Sequence, residues 1–194
     1  QLGNGGTTNS SSPVGVGGIN SAVALALGQN HSCALLRSGA MQCWGGGYQG
    51  QLGHGSFADS TSPVAVSGAG VWSSVTAGLG HTCAALVSGN VQCWGGNSEG
   101  QLGNGSVARS AYPVAVAGVN TAVTIAAGQT NSCAVLRSGV VQCWGSNESG
   151  QLGDGSLTSS PKAVAVTGIN NALAVVVGGS HSCALLYSGV VTCW

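Results

Sequence analysis

Two cysteines recur in every 50 residues of this chain, and this repeat constrains the fold more than any other feature. Within each repeat the cysteines are ten positions apart, and the pairs are Cys33 and Cys43, Cys83 and Cys93, Cys133 and Cys143, and Cys183 and Cys193. The sequence Gln-Leu-Gly-x-Gly begins at residues 1, 51, 101 and 151 in the same register. Because a period of about 20 to 50 residues is typical of solenoids, propellers and arrays, we predict a single array with repeats 1–50, 51–100, 101–150 and 151–194.

Each repeat contains short segments of β type. In the second repeat they are bounded by the Gly, Ser or Asn residues that favour turns, and they cover residues 62–68, 71–78, 81–87 and 90–95. Helices are disfavoured because 35 glycines are spread through the chain, and each costs a helix about 1 kcal/mol relative to alanine. Four short strands per repeat predict an all-β fold of propeller-type blades, each made of four antiparallel strands.

The two cysteines of a repeat flank a predicted β-hairpin. If Cys33 lies opposite Cys43, the residues between them pair and leave Arg37-Ser38-Gly39 as a three-residue loop. The last residue of such a loop adopts a left-handed conformation that glycine alone adopts without cost, and the equivalent positions are Gly39, Gly89, Gly139 and Gly189. In this register the two cysteines face each other across the ladder at a distance suited to a disulfide.

A disulfide within each repeat is the favoured interpretation of the eight cysteines. Zinc is an alternative, because His31, His81 and His181 each precede a cysteine by two residues. Against zinc, the third repeat has Asn131 at this position, and no Cys-x-x-Cys motif occurs. Free buried thiols are the remaining alternative. Because disulfides persist in oxidising compartments, we expect an extracellular protein, either secreted or at the cell surface.

Apolar residues occupy both odd and even positions of the hairpin strands, as in Cys-Ala-Leu-Leu at residues 33–36. This pattern predicts strands that are covered on both faces, as in blades stacked face to face. The tryptophans that follow the second cysteines are expected to fill the space between blades, and they are Trp44, Trp94, Trp144 and Trp194. Trp72 has no equivalent in the other repeats, and we predict that it forms an exposed contact.

Charge is scarce in this chain. Only 4% of the residues are charged, compared with about 25% in a typical soluble protein. A surface without a field of either sign argues against nucleic acid as a partner. No apolar run approaches the length of about 18 residues that a membrane span needs, so we expect no membrane insertion. A net charge of zero favours self-association or attached glycan, because it weakens the repulsion between molecules.

The repeat resembles that of the regulator of chromosome condensation family. The matching stretches are GGNSEGQLGNG at 95–105, PVAV at 63–66 and 113–116, AGLGHTCAAL at 77–86 and SGNVQCWG at 88–95. The version with two cysteines is similar to the secreted bacterial subgroup of the family. The resemblance implies a β-propeller whose blades each take strands from two successive repeats.

Two departures from the family pattern limit what the resemblance implies. Members usually have seven repeats, whereas this chain has four, and the usual Asp-Gly or Asn-Gly turn is Ser-Gly in every repeat. Since the chain has no basic tail and no acidic loop cluster, the nucleotide exchange and chromatin binding of the nuclear member are not carried over. Four arrangements stay open: a closed ring, half of an eight-bladed dimer, an open array continued by the next chain, or a fragment of a seven-bladed parent.

We predict a structural protein whose blades associate between chains, as a homo-oligomer or as a filament or sheath. Contacts between chains are expected at Gln1, Leu2, Trp72 and Trp194. A propeller that binds a protein or a glycan partner is the alternative function. Candidates for glycosylation are Asn9, Asn104 and Asn147, each in an Asn-x-Ser sequon.

Catalysis finds little support in the sequence. The acids are spread over different loops and do not form a triad with a nucleophile and a base; they are Asp59, Glu99, Glu148 and Asp154. We therefore expect that the protein is not an enzyme and that it uses neither a cofactor nor a metal.

Overall fold

The computed structural model describes residues 1–68 and 70–194, and these residues form fifteen β-strands and no helix. In chain order the strands are β1 (Ala22–Leu27), β2 (His31–Leu36), β3 (Met41–Gly45), β4 (Ser60–Ala65), β5 (Trp72–Ala77), β6 (His81–Leu86), β7 (Val91–Gly95), β8 (Ser110–Ala115), β9 (Ala122–Ala127), β10 (Asn131–Leu136), β11 (Val141–Gly145), β12 (Ser160–Ala165), β13 (Ala172–Val177), β14 (Ser182–Leu186) and β15 (Val191–Cys193). The prediction of an all-β fold is confirmed. A helix able to cross a membrane is not found among the described residues.

The strands form four antiparallel sheets, which are the predicted blades. Three sheets have four strands, in the orders β1-β2-β3-β4, β5-β6-β7-β8 and β9-β10-β11-β12, and the last has the order β13-β14-β15. The outer strand of each complete sheet comes from the following repeat. For example, β4 belongs to the second repeat and pairs with β3 of the first. Each complete blade therefore takes strands from two successive repeats, as the family resemblance implied.

The hairpin between β2 and β3 has the register expected from the cysteine spacing. Cys33 lies opposite Cys43, and the Leu36 N–H donates to the Ala40 carbonyl at 2.8 Å, which leaves three residues in the loop. The loop ends at Gly39 with a φ of 81°. The equivalent glycines of the other three repeats have φ of 90°, 82° and 85°. All four hairpins therefore use glycine for a conformation that other residues rarely adopt.

Each cysteine pair forms a disulfide across its hairpin: Cys33–Cys43, Cys83–Cys93, Cys133–Cys143 and Cys183–Cys193. In the last blade Ser182 and Trp194 exchange both backbone hydrogen bonds, at 2.8 and 2.9 Å. The neighbouring cysteines therefore occupy a position without ladder hydrogen bonds, where facing residues approach most closely. These are the pairs expected from the sequence, and four disulfides indicate an oxidising environment.

Successive blades pack face to face around a common axis, with β1 against β5, β5 against β9 and β9 against β13. Between the first two blades lie the side chains of Leu52, Trp72 and Trp94. The inner ends of the blades approach closely at glycines, since a Cβ on Gly78 would lie 2.3 Å from the Gly128 carbonyl oxygen. Inner residues of all four blades line an axial cavity of about 290 Å³. Over the described residues the sheets do not close into a ring, so the fold is an open propeller.

Candidate functional site at the two terminal blades

A hydrogen bond joins the Gln-Leu-Gly segment to the tryptophan in each repeat, and from the second repeat onwards both lie between neighbouring blades. The Trp94 indole N–H donates to the Gln51 carbonyl at 2.9 Å, and Leu52, the next residue, is fully buried. The other three repeats have the same hydrogen bond, from Trp44 to Gln1 at 2.7 Å, from Trp144 to Gln101 at 2.9 Å and from Trp194 to Gln151 at 3.0 Å. Trp94, Trp144 and Trp194 therefore pack between blades, whereas Trp44 packs on the N-terminal segment, and all four indoles donate to the backbone, as expected for buried indoles.

Two histidines make hydrogen bonds from one blade to the next. His31 Nε2 lies 2.8 Å from Thr82 Oγ1, and His81 Nε2 lies 2.8 Å from Ser132 Oγ. Burial lowers the pKa of His31 to about 4, and burial together with the charge of His31 lowers the pKa of His81 to about 3. Both imidazoles are therefore neutral at pH 7. His181, the equivalent residue of the last blade, is exposed.

The last blade exposes apolar side chains at positions that are buried or partly buried in the other blades. Val191 is 62% exposed, whereas Val91 and Val141 are 0% exposed. Val176 and Leu185 lie on the same side of the sheet and are also exposed. We call Val176, Leu185 and Val191 the C-terminal face.

The first blade exposes apolar side chains on its opposite side. Leu25 is 65% exposed and Leu27 is 71% exposed, whereas Val175, which is equivalent to Leu25, is buried against the preceding blade. Leu2 is also exposed, although its equivalents Leu52, Leu102 and Leu152 are fully buried. We call Leu2, Leu25 and Leu27 the N-terminal face.

The two faces are complementary because the same positions already pack on each other inside the molecule. Between the first two blades, Leu35 and Met41 of one blade lie in one apolar cluster with Leu52 and Val75. By the 50-residue repeat, these four positions correspond to Leu185, Val191, Leu2 and Leu25. An internal blade interface is therefore a template for contact between the C-terminal face and the N-terminal face.

The structure assigns different environments to the four predicted contact residues. Leu2 is part of the N-terminal face, and Gln1 beside it is exposed. Trp194 is partly buried in the last blade. The prediction that Trp72 is exposed is wrong, because its side chain is only 5% exposed and packs on Trp94 with ring centroids 5.8 Å apart. The register irregularity after Trp72 recurs at the equivalent position of every sheet, and the Trp72 side chain lies against the first blade.

The three glycosylation candidates also differ in exposure. Asn9 is exposed and Asn104 is partly buried. Asn147 is fully buried, and its amide donates to the carbonyls of Ser156 and Thr158 at 3.1 and 3.2 Å. The prediction for Asn147 is therefore wrong, because this side chain holds a loop in place and is inaccessible to a glycosylating enzyme.

The residues considered for metal binding have other roles. The zinc alternative is wrong, because the cysteines it needs are in disulfides. Within residues 1–68 and 70–194, no group of three or more His, Cys, Asp or Glu side chains could hold a metal ion.

The Ser156 N–H, 2.9 Å from a carboxylate oxygen of Asp154, lowers the pKa of that carboxyl below its usual value. Asp154 therefore caps its own turn.

Sequence analysis did not identify a surface cluster that lies at the junction of the first two blades. It consists of Tyr48, Phe57, Arg109 and Tyr112, all of which lie at the surface. The Arg109 guanidinium lies 4.4 Å from the centre of the Phe57 ring and donates to the Tyr48 carbonyl at 3.0 Å. Tyr48 and Arg109 also line a cavity of about 400 Å³. The cluster could have been noticed in the sequence, because the equivalent positions of the other repeats carry no aromatic residue and no arginine.

Comparisons with solved structures identify the architecture. Human WBSCR16 superposes with a TM-score of 0.79 at 23% identity, covering 88% of this chain and 46% of that protein. Yeast RCC1 (Prp20), solved bound to Kap60, gives a TM-score of 0.79 at 23% identity, covering 97% and 45%. The ectodomain of the Physcomitrella patens receptor kinase CR4 gives a TM-score of 0.63 at 24% identity, covering 96% and 45%. The chain therefore spans less than half the length of these proteins, and the likeness is one of fold.

Comparison at the level of sequence agrees with this architecture. No curated protein matches the chain. One family model of the regulator of chromosome condensation (RCC1) repeat matches residues 38–85, 88–135 and 138–185. A second family model of the same repeat matches residues 22–51, 72–101 and 122–151. Because these matches follow the blades in register and cover most of the chain, the protein belongs to the regulator of chromosome condensation repeat family.

Proposed function

We propose that this protein is an extracellular structural protein whose chains join head to tail, blade on blade, into a filament or sheath. The observation that carries the proposal is the pair of exposed terminal faces, whose equivalent positions are buried or partly buried in the internal blade interfaces. The disulfides support a location outside the cytosol. The role is one of assembly rather than catalysis.

Contact between unlike faces leads to growth. When the C-terminal face of one copy packs on the N-terminal face of another, each end of the pair still exposes one unpaired face. Such a contact produces either a closed ring or an open helical array, depending on the rotation between copies. The six residues of the two faces are uncharged, so no charge on them opposes the contact.

The strength of the contact can be estimated from the exposed side chains. Burying the six apolar side chains of both faces contributes about 1 kcal/mol each, or roughly 6 kcal/mol in total. Association of two proteins costs about 4 to 15 kcal/mol in lost translational and rotational freedom. Apolar stacking alone is therefore marginal, and a stable assembly needs a further contribution at the same junction.

Sedimentation velocity and electron microscopy over a range of protein concentrations test the proposal. We expect particles that lengthen with concentration, and we expect Leu185→Glu to prevent their growth by placing a charge on the C-terminal face. Val87→Glu is the matched control, because Val87 is an exposed loop residue at a position where other repeats carry Arg37 and Arg137. A sedimenting mass of one chain at every concentration would overturn the proposal, as would equal growth of the Leu185→Glu variant.

Binding of a protein or glycan partner at the blade rim is the second candidate function. It is favoured by the exposed cluster of Tyr48, Phe57, Arg109 and Tyr112 beside a cavity of about 400 Å³. A relative of the same fold, yeast RCC1, is solved bound to the protein Kap60. The test is a screen of protein and glycan arrays with the wild-type chain, followed by Tyr48→Ala. Loss of binding is expected for Tyr48→Ala but not for Tyr187→Ala, which removes an exposed tyrosine from another blade.

A further inference from the structure

We propose that the cavity beside Tyr48 and Arg109 binds the carboxylate of an acidic sugar, the uronate unit of a polysaccharide. The Arg109 guanidinium and the backbone N–H of Asn97 hold the carboxylate, and the sugar ring lies against Tyr48. This inference rests on the second candidate function, binding at the blade rim, and names the class of ligand. It does not depend on how the chains associate.

The repeat shows which chemical group this site takes. In the first repeat the Gly47 N–H donates to a carboxylate oxygen of Asp59 at 2.7 Å. In the third repeat the equivalent N–H is that of Asn147, and it donates to the Ser159 hydroxyl oxygen at 3.2 Å. A carboxylate is therefore one of the two acceptors that the chain itself places at this N–H.

The second repeat lacks the internal acceptor. The equivalent N–H belongs to Asn97, and the acceptor position carries Arg109, whose guanidinium has donors but no acceptor. Within residues 1–68 and 70–194, the Asn97 backbone N–H donates to no oxygen, although the residue is only 2% exposed. The loop is held as in the third repeat, because the Asn97 amide donates to two loop carbonyls as the Asn147 amide does. Since an unpaired buried donor costs free energy, the Asn97 N–H favours a ligand oxygen in the cavity that this residue lines.

The Arg109 guanidinium is already in place for a second contact with the carboxylate. It lies 4.4 Å from the centre of the Phe57 ring and donates to the Tyr48 carbonyl at 3.0 Å. A guanidinium has more N–H donors than this bond uses, and its planar fork matches the two oxygens of a carboxylate. Because Arg109 and Asn97 line the same cavity, one carboxylate can accept from both. A side chain that is held before binding loses little conformational freedom on binding.

The charge of the cavity favours an anion. Arg109 is the one charged side chain among the described residues that line the cavity, and the acids Asp59 and Glu99 do not line it. At the junction of the second and third blades, Glu99 has the position of Gln49 in the repeat. Ser159 has the position of Arg109 there. A carboxylate is therefore attracted to the first junction and repelled by an acid at the next.

The other lining residues fit a sugar better than an acidic peptide. The Tyr48 side chain is 49% exposed, which leaves a ring face for the apolar side of a sugar. The Gln49 side chain lies over Gly96, where a Cβ would meet its amide oxygen, and within the described chain this amide makes no hydrogen bond. The Gln49 amide and the Ser98 hydroxyl both line the cavity and can bond to sugar hydroxyls. A uronate presents a carboxylate, hydroxyls and an apolar ring face together, whereas an acidic side chain of a peptide presents the carboxylate alone.

An NMR titration with digalacturonate tests the proposal at the atoms it names. Two-dimensional amide spectra of dilute, isotope-labelled protein are recorded with digalacturonate and with its methyl ester, which keeps the hydroxyls and has no charge. We expect the Asn97 amide proton to move downfield as it gains a carboxylate acceptor. We expect the methyl ester to bind at least about tenfold more weakly. A short aspartate-containing peptide is the third ligand, and it should also bind more weakly than digalacturonate.

One substitution removes the guanidinium without introducing a foreign residue. Arg109→Ser places at this site the residue of the third repeat, Ser159, whose hydroxyl accepts from the Asn147 N–H. The introduced hydroxyl can accept from the Asn97 N–H in the same way, and we expect the affinity for digalacturonate to fall by at least about tenfold. Arg137→Ser is the matched control, because Arg137 is an exposed arginine in a hairpin loop of another blade. This control should bind digalacturonate as the wild type does.

Failure of this inference is distinguishable from failure of the second candidate function. If digalacturonate leaves the Asn97 amide unmoved while a ligand from the array screen binds through Tyr48, the carboxylate site is overturned and binding at the rim remains. Equal binding of the methyl ester would overturn carboxylate recognition, as would an unchanged affinity of Arg109→Ser or an equal loss in Arg137→Ser. Preference for the aspartate-containing peptide would overturn a sugar as the ligand. Failure of digalacturonate together with a screen that yields no ligand dependent on Tyr48 would overturn the second candidate function itself.

Discussion

Val91 and Val191 occupy the same position in two repeats but have different surroundings, so one substitution made at both sites tests the role of the terminal face. Val91 is 0% exposed and packs between the second and third blades, whereas Val191 is 62% exposed on the C-terminal face. We expect Val91→Ala to destabilise the single chain and Val191→Ala to leave its stability almost unchanged.

The magnitude follows from the two carbons that the substitution removes. Their transfer from water to the interior is worth about 0.8 kcal/mol each, and the cavity left behind raises the cost of Val91→Ala to about 2 to 3 kcal/mol. For a chain of this size the midpoint of thermal unfolding falls by about 4 to 12 °C. At an exposed site the change is within about 0.5 kcal/mol.

Calorimetry on dilute protein measures the midpoint of thermal unfolding of Val91→Ala and of Val191→Ala against that of the wild type. At high concentration, the next copy covers Val191, and Val191→Ala then weakens association by about tenfold, equivalent to roughly 1.4 kcal/mol, in sedimentation equilibrium. The reasoning would be refuted by an unfolding midpoint of Val91→Ala within 1 °C of wild type (about 0.3 kcal/mol or less). Equal effects of the two variants at dilution would refute it as well.

Three further predictions concern the interior of the blades. Replacing Cys133 and Cys143 together with alanine removes a cross-link over a ten-residue spacing and lowers the free energy of unfolding by about 3 kcal/mol in urea titrations; an unchanged urea midpoint would contradict this. The folded pKa values of the two buried histidines, about 4 and about 3, lie below the ordinary 6.5, so the unfolded state binds more protons in acid. Stability should be flat above pH 6.5 and fall between pH 6.5 and about 3, by roughly 3 kcal/mol for His31 and roughly 5 kcal/mol for His81. His81→Asn should reduce that fall in urea midpoints measured from pH 7 to pH 4. Gly78→Ala should cost about 2 to 3 kcal/mol by thermal unfolding because its Cβ would meet a backbone oxygen, whereas Gly15→Ala should leave the single chain unaffected.

The hairpins could be predicted from the sequence because their determinants are local. The ten-residue cysteine spacing and the glycine at the end of each loop together specify one register, and the structure has that register in all four repeats. The pairing of the outer strands came instead from the family resemblance, since β3 and β4 are separated by a long loop that no short-range pattern specifies.

The features that sequence analysis missed depend on contacts between distant residues. Trp72 has no tryptophan equivalent in the other repeats, which suggested exposure, but its ring packs on Trp94 in the first interface. Asn147 matches a glycosylation sequon, yet its amide is bonded to carbonyls nine and eleven residues later. The cluster around Arg109 joins residues of three repeats that come together only in the folded blades.

Electron cryo-microscopy of the concentrated protein tests the central claim most directly. If terminal faces pack as internal interfaces do, the first blade of each copy will follow the last blade of its neighbour with the same rotation that relates successive blades within a chain. Val191 of one copy will then be covered by the N-terminal face of the next. Isolated four-bladed arcs at every concentration, or particles in which like faces meet, would contradict the account.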